Sequence, residues 1–220
     1  MSILRRKILG LGLVLGAAAG GRAAAAPAQT AGATMESQDD WLDRGGRRHR
    51  MVFDSVTGTG AGDALAFARN FCTVNAKAYG IDQKEISALV IFRHLSTPFG
   101  FRDAIWSQHG AVLVDRTKLN DPRTGAAPAV NLFDVDLKDS GLPNRGTTLT
   151  ALAALGVRFG VCASATHAIS ETIAKKSGGD AESIFRGLSA NLIPGAVLVP
   201  AGIVALGRAQ ERGYMVSCCG

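Results

Sequence analysis

The apolar residues of this chain fall into short dense runs separated by stretches with helical spacing. Met51–Val56 reads as a strand buried on both faces, and Ile86–Phe92 as a second. Val157–Val161, Ala196–Val199 and Tyr214–Cys218 read as three more. Between them lie helical patterns. Gly58-Thr59-Gly60-Ala61-Gly62-Asp63 forms a turn into a helix that Asp63 is expected to cap, that runs to about Tyr79 and that Gly80 stops. Pro98–Trp106 holds a short helical turn, and Thr147–Leu155 is helical and ended by Gly156. Ser164–Lys176 is a helix closed by Gly178-Gly179. Asp180 caps Ala181–Ala190, and Ile203–Arg212 is the last helix.

Strands that alternate with helices predict an α/β three-layer sandwich: a mostly parallel five-stranded sheet covered on both faces. Ligand sites in such sheets lie beyond the C-terminal strand ends. One segment breaks the alternation. Asp115–Gly146 holds Pro122, Pro128, Pro143 and five aspartates. So long a connection is expected to be a lid, an oligomer contact or disorder.

The N-terminal pattern differs. Arg5-Arg6-Lys7 precedes an apolar run from Ile8 to Gly21, and small residues follow at Ala23–Ala26 and Ala31-Gly32-Ala33. Residues 1–33 therefore read as a cleavable export signal with its cleavage region, and the arginine pair resembles a twin-arginine signal. Export machinery is then a partner, and the periplasm the expected location. Residues 34–47 read as a flexible lead-in, and 48–220 as a single domain with the 115–146 insertion. The whole chain carries +6. Residues 1–26 hold four basic residues and no acid, so the rest has 20 basic against 18 acidic residues, or +2. The basic balance belongs largely to the signal. Arg44, Arg47, Arg48 and Arg50 cluster without interleaved aromatics, so no nucleic-acid partner is expected.

The candidate chemistry centres on Cys162. It lies where a predicted strand meets a predicted helix, so backbone N–H groups and the positive helix end face its sulfur. Both favour thiolate over thiol. His94, after the second strand, belongs to the same sheet edge and could act as a base, a thiolate partner or a metal ligand, or be a loop histidine held by a carbonyl. Its neighbour Arg93 could bind an anion or be solvated. His167 lies one turn into the Cys162 helix and either approaches the thiol or faces solvent. Cys72 falls on the buried stripe of its helix. Cys218 and Cys219 would point to opposite faces of a strand. No Cys/His spacing requires a metal. No cofactor is expected either: in a G-x-G-x-x-G reading of Gly58–Gly62 the third glycine would be Asp63, and no acid at the end of the second strand holds a ribose.

Leu155–Cys162, with Val199-Pro200-Ala201-Gly202-Ile203-Val204 and Gln210-Glu211-Arg212-Gly213-Tyr214, resembles the DsrE/DsrF-like sulfur-relay superfamily over about residues 48–217. Arg93-His94-x-x-Thr97-Pro98-Phe99 with Asp103-Ala104-x-Trp106 is similar to an exported branch bearing twin-arginine signals. The resemblance implies a flavodoxin-like or Rossmann-like fold, assembly into a homo-oligomer, and a persulfide carried on Cys162. The expected function is acceptance or transfer of sulfane sulfur, with a small sulfur compound or a partner thiol protein as substrate. His94 or His167 would stabilise the anion. Two alternatives stand beside it: an oligomeric binding module with the insertion as lid or interface, and a redox sensor using Cys218 and Cys219.

Overall fold

The computed structural model describes residues 36–46 and 48–220. Five strands form: β1 His49–Ser55, β2 Ile86–Phe92, β3 Arg158–Cys162, β4 Ala196–Val199 and β5 Met215–Cys219. All pair in parallel, in the order β4-β3-β2-β1-β5. The helices are α1 Asp40–Asp43, α2 Gly58–Tyr79, α3 Asp103–Thr117, α4 Leu149–Ala154, α5 Ala163–Ser177, α6 Ala181–Ala190 and α7 Gly202–Glu211. This is the expected three-layer α/β sandwich, and its sheet is parallel throughout. Among the described residues no helix is long and apolar enough to cross a membrane. The expected export signal lies outside the described residues.

Strand order decides which helix lies where. From β1 to β4 each strand adds on the same side of its predecessor, so right-handed crossovers put the intervening helices on one face. That face holds the larger core, where Leu65, Leu113, Ile169 and Ile173 meet Phe53, Val90, Phe92 and Phe159. The step from β4 to β5 runs back across the sheet, which sends α7 to the opposite face. There Ala205, Leu206 and Ala209 pack on Val52, Leu89, Ile91 and Val199.

Trp41 and Leu42 complete this second core, so this part of the 34–47 segment is a packed element and no flexible lead-in. Polar groups fasten it. The Arg158 guanidinium donates to the Trp41 carbonyl, to Ser87 Oγ, and to the Tyr214 hydroxyl at 2.9 Å. Tyr214 in turn donates to the Leu42 carbonyl at 2.7 Å. One Trp-Leu pair in a polar stretch has no periodicity, so its burial was not legible in the pattern.

Three local expectations are corrected. Thr57, not Asp63, caps α2, its hydroxyl accepting from the Gly60 amide at 2.9 Å. The turn expected at 98–106 is a 3-10 segment, His94–Gly100, followed by the full helix α3. Gly110 masks that helix in the sequence, and it is there because a Cβ would lie 2.0 Å from the Pro128 carbonyl oxygen. Finally, the 115–146 segment is neither lid nor disorder. Its first residues finish α3, and the rest is an irregular wall of the core. Leu132 and Phe133 are fully buried, and Phe133 stacks on Phe99 with ring centroids 4.1 Å apart. Asn131 donates from Nδ2 to the Phe99 and Phe101 carbonyls, both at 2.9 Å, which satisfies polar groups a buried loop would otherwise strand.

The glycines that open α2 allow close backbone packing. A Cβ on Gly60 would lie 2.2 Å from the Cys219 carbonyl oxygen. Gly60→Ala is therefore expected to destabilise the fold by about 1–3 kcal/mol, outweighing its gain in helix propensity. At Gly187, within α6, a Cβ would meet nothing within 4 Å. Gly187→Ala should stabilise by up to about 1 kcal/mol. Urea midpoints moving in opposite directions would confirm the contrast; both moving up would refute the packing at Gly60.

Candidate functional site

β3 delivers Cys162 to the C-terminal edge of the sheet, where it becomes the N-cap of α5. Its sulfur accepts a hydrogen bond from the Ala165 amide at 3.4 Å, and its carbonyl accepts one from Thr166 Oγ1 at 2.9 Å. The residue is only 6% exposed. It nevertheless lines an open cleft of about 420 Å³, together with Arg93, His94, Arg116, Ser164 and the start of α7 at Ala201, Gly202 and Ile203. Among the described residues, no carboxylate lines this cleft.

His94 shares the cleft with Cys162, as its place after β2 suggested. Its φ is 55°, a left-handed conformation uncommon for a residue with a side chain. The turn is held from below. The amides of Leu95 and Ser96 donate to the Val56 carbonyl at 2.9 and 3.1 Å. The Ser96 hydroxyl donates to the Ser55 carbonyl at 2.8 Å. Neighbouring strand ends thus fix where His94 stands. His167 goes elsewhere. It is exposed and does not line the cleft; its ring stacks on Phe185 with centroids 3.5 Å apart, fastening α6 to α5.

Arg93 is not simply solvated. It makes a two-pronged ion pair with buried Asp54 of β1, Nε to Oδ1 at 2.6 Å and Nη2 to Oδ2 at 2.7 Å. Those hydrogen bonds hold the guanidinium pKa above its ordinary value, and charge on the Cys162 and Cys218 sulfurs adds to the effect. Gly202 lets α7 start this close: a Cβ there would lie 2.5 Å from Arg93 Cβ. Asp54 had a visible signal, an acid directly after the apolar run Met51-Val52-Phe53. Arg116 had none, because the turns of α3 that carry it were not read as helix. Burial pushes the Arg116 guanidinium down, and its Nε is buried with no hydrogen-bond partner.

The remaining cysteines lie apart from this cleft. All four thiols are free. β5 sends exposed Cys218 and buried Cys219 to opposite faces. Three strand spacings separate β5 from β3, roughly 14 Å, against the limit of about 7 Å between Cα atoms for a disulfide. Direct resolution of a Cys162 adduct by the last two cysteines is therefore out of reach in this fold. Cys72 is buried under α2 as expected, and burial raises its pKa. No three His, Cys, Asp or Glu side chains among the described residues converge as a metal site requires.

Burial also pushes the Cys219 thiol up, to about 11. Only thiolate is alkylated readily, so Cys219 stays protonated and slow at neutral pH and gains reactivity as pH approaches that value. Iodoacetamide mapping of the native protein should label Cys218 well before Cys72 and Cys219. Labelling of Cys219 at neutral pH as fast as Cys218 would contradict the burial. No protein-family model, no curated protein and no solved structure matches this chain.

Proposed function

We propose that this chain is an exported thiol protein, working in the periplasm, that accepts or transfers sulfane sulfur as a persulfide on Cys162. One observation carries the reading. A cysteine caps a helix at the C-terminal edge of a parallel sheet, its sulfur receives an amide hydrogen bond, and the open cleft it lines holds two arginines, a histidine and, among the described residues, no carboxylate. Amide N–H groups and cations stabilise anionic sulfur, the form that attacks and the form a persulfide takes. The resemblance of Leu155–Cys162 and the segments after it to sulfur-relay proteins supports the same role.

The chemistry needs no external oxidant. The Cys162 thiolate attacks the terminal sulfur of a donor R–S–S⁻. A new S–S bond forms as the donor's S–S bond breaks. The donor leaves as the thiolate R–S⁻ with the bonding pair, and Cys162 is left as Cys–S–S⁻. Running the step with an acceptor thiolate returns the sulfur. His94, which lines the same cleft, would offer an N–H to the bound anion; His167 does not line it.

Two observations bear on the alternatives. For a binding module, Leu132 and Phe133 anchor the insertion in the core, which speaks against a lid and leaves its reading as an interface. A redox switch between Cys218 and Cys219 has its thiols on opposite faces of one strand. The test is peptide mass spectrometry of the protein after exposure to inorganic polysulfide. One added sulfur on the Cys162 peptide, and none at that site in Cys162→Ser, is expected. A Cys162→Ser variant that still accepts and passes sulfur at the wild-type rate would overturn the reading.

A further inference from the structure

The charges around the cleft do not balance. Arg93 is neutralised by Asp54 through two hydrogen bonds. Arg116 has no such partner: among the described residues it makes no ion pair and no side-chain hydrogen bond, and its Nε is buried and unsatisfied. Its neighbour Asp115 is turned to Lys176, at 2.8 Å. The start of α7 adds to the imbalance. Its cap residue is Ala201, which has no side-chain acceptor, whereas Thr57, Cys162 and Asp180 cap α2, α5 and α6 with their side chains. The cleft is thus lined by a partner-free guanidinium, uncapped helix amides, His94 and a thiol.

A half-buried guanidinium without a partner is costly, and a planar fork of N–H donors matches an oxyanion. Resting on the persulfide reading of Cys162, we infer that the sulfur donor is a small sulfane-sulfur oxyanion of the thiosulfate type, whose sulfonate end is held by Arg116. A polysulfide chain concentrates its charge on soft sulfur, a weak hydrogen-bond acceptor, and makes little use of a guanidinium. A sulfonate offers several oxygens to Arg116 while its outer sulfur faces Cys162.

The step balances without another reagent. The Cys162 thiolate attacks the outer sulfur of ⁻S–SO₃⁻. The bond between the two thiosulfate sulfurs breaks, and sulfite, SO₃²⁻, departs with the bonding pair. Cys162 is left as Cys–S–S⁻. The charge on the departing oxygens grows during the step, so Arg116 helps more at the transition state than with bound donor.

The experiment follows sulfur on the Cys162 peptide and sulfite release against thiosulfate concentration, with inorganic polysulfide as the second donor. Wild-type protein should take one sulfur from thiosulfate and release sulfite in equal amount. Arg116→Gln should lower the efficiency of that step about tenfold or more, as expected for loss of a charged hydrogen-bonded contact. Arg116→Lys, which keeps the charge but not the fork, should recover part of the loss and serves as the comparison if the glutamine variant folds poorly. Labelling by polysulfide but not by thiosulfate would overturn this inference and leave the persulfide reading intact. So would equal thiosulfate efficiency in wild type and both variants. No sulfur on Cys162 from either donor would overturn both.

Discussion

The handedness of parallel crossovers is the constraint on which this molecule depends. Three steps in one direction place α2, α3 and α5 on one face, and the single return step places α7 on the other. The consequence is local as well as global. α5 begins at the end of β3 on one side, and α7 begins beside Arg93 at the end of β2 on the other. Two helix N-termini therefore open at one stretch of sheet edge, with Cys162 between them. The positive character of the cleft comes from topology before any charged side chain is counted.

Each end of the sheet is then secured by an arginine used differently. At the C-terminal end, Arg93 binds a true anion, Asp54. That pair is mostly buried, and removing one partner of such a pair costs on the order of 3–5 kcal/mol because the other charge is left uncompensated. At the N-terminal end, Arg158 has neutral partners: the Trp41 carbonyl, Ser87 and Tyr214. Burial there lowers its pKa, the cost of holding a guanidinium without a carboxylate. Arg50 lies over the Tyr214 ring at 4.9 Å and donates to the Arg212 carbonyl at 2.6 Å, so the same tyrosine serves two cations. This lower network holds α1 onto the sheet and closes the second core. The exposed pairs, such as Arg48 with Glu85 and Arg186 with Glu182, add little to either end.

Much of this was legible in the chain. The strands were visible because parallel strands are buried on both faces and read as apolar runs; β2 is buried at all seven positions. Cys162 and His94 were visible because a strand-to-helix junction is readable from period changes and caps. What was hidden shares one cause: contacts between segments distant in sequence. Gly110 reads as a helix breaker until Pro128 is seen against it. Trp41 reads as a lone aromatic until α7 and the sheet enclose it. Arg116 reads as one of many surface cations until α3 is extended far enough to bring it to the cleft. His167 was open between two faces, since it lies one turn from the thiol in sequence, and it is exposed and stacked on Phe185.

The separation of the cysteines constrains the proposed role. A persulfide on Cys162 has no second thiol of its own chain within bonding reach, because Cys218 stands three strands away and Cys72 and Cys219 are buried elsewhere. On the proposed persulfide role, the sulfur would therefore leave to a molecule that enters the cleft. That requirement fits the small residues around the thiol. Ala165, Ala168, Ala201 and Gly202 line the cleft with little side-chain bulk, and the Arg93–Asp54 pair holds one of its long side chains in place. In that role the opening that admits a donor would also admit an acceptor once the donor's leaving group has gone. For the proposed role, an open cleft lined by two arginines and supplied with one thiol suits passing a single sulfur atom onward better than storing it.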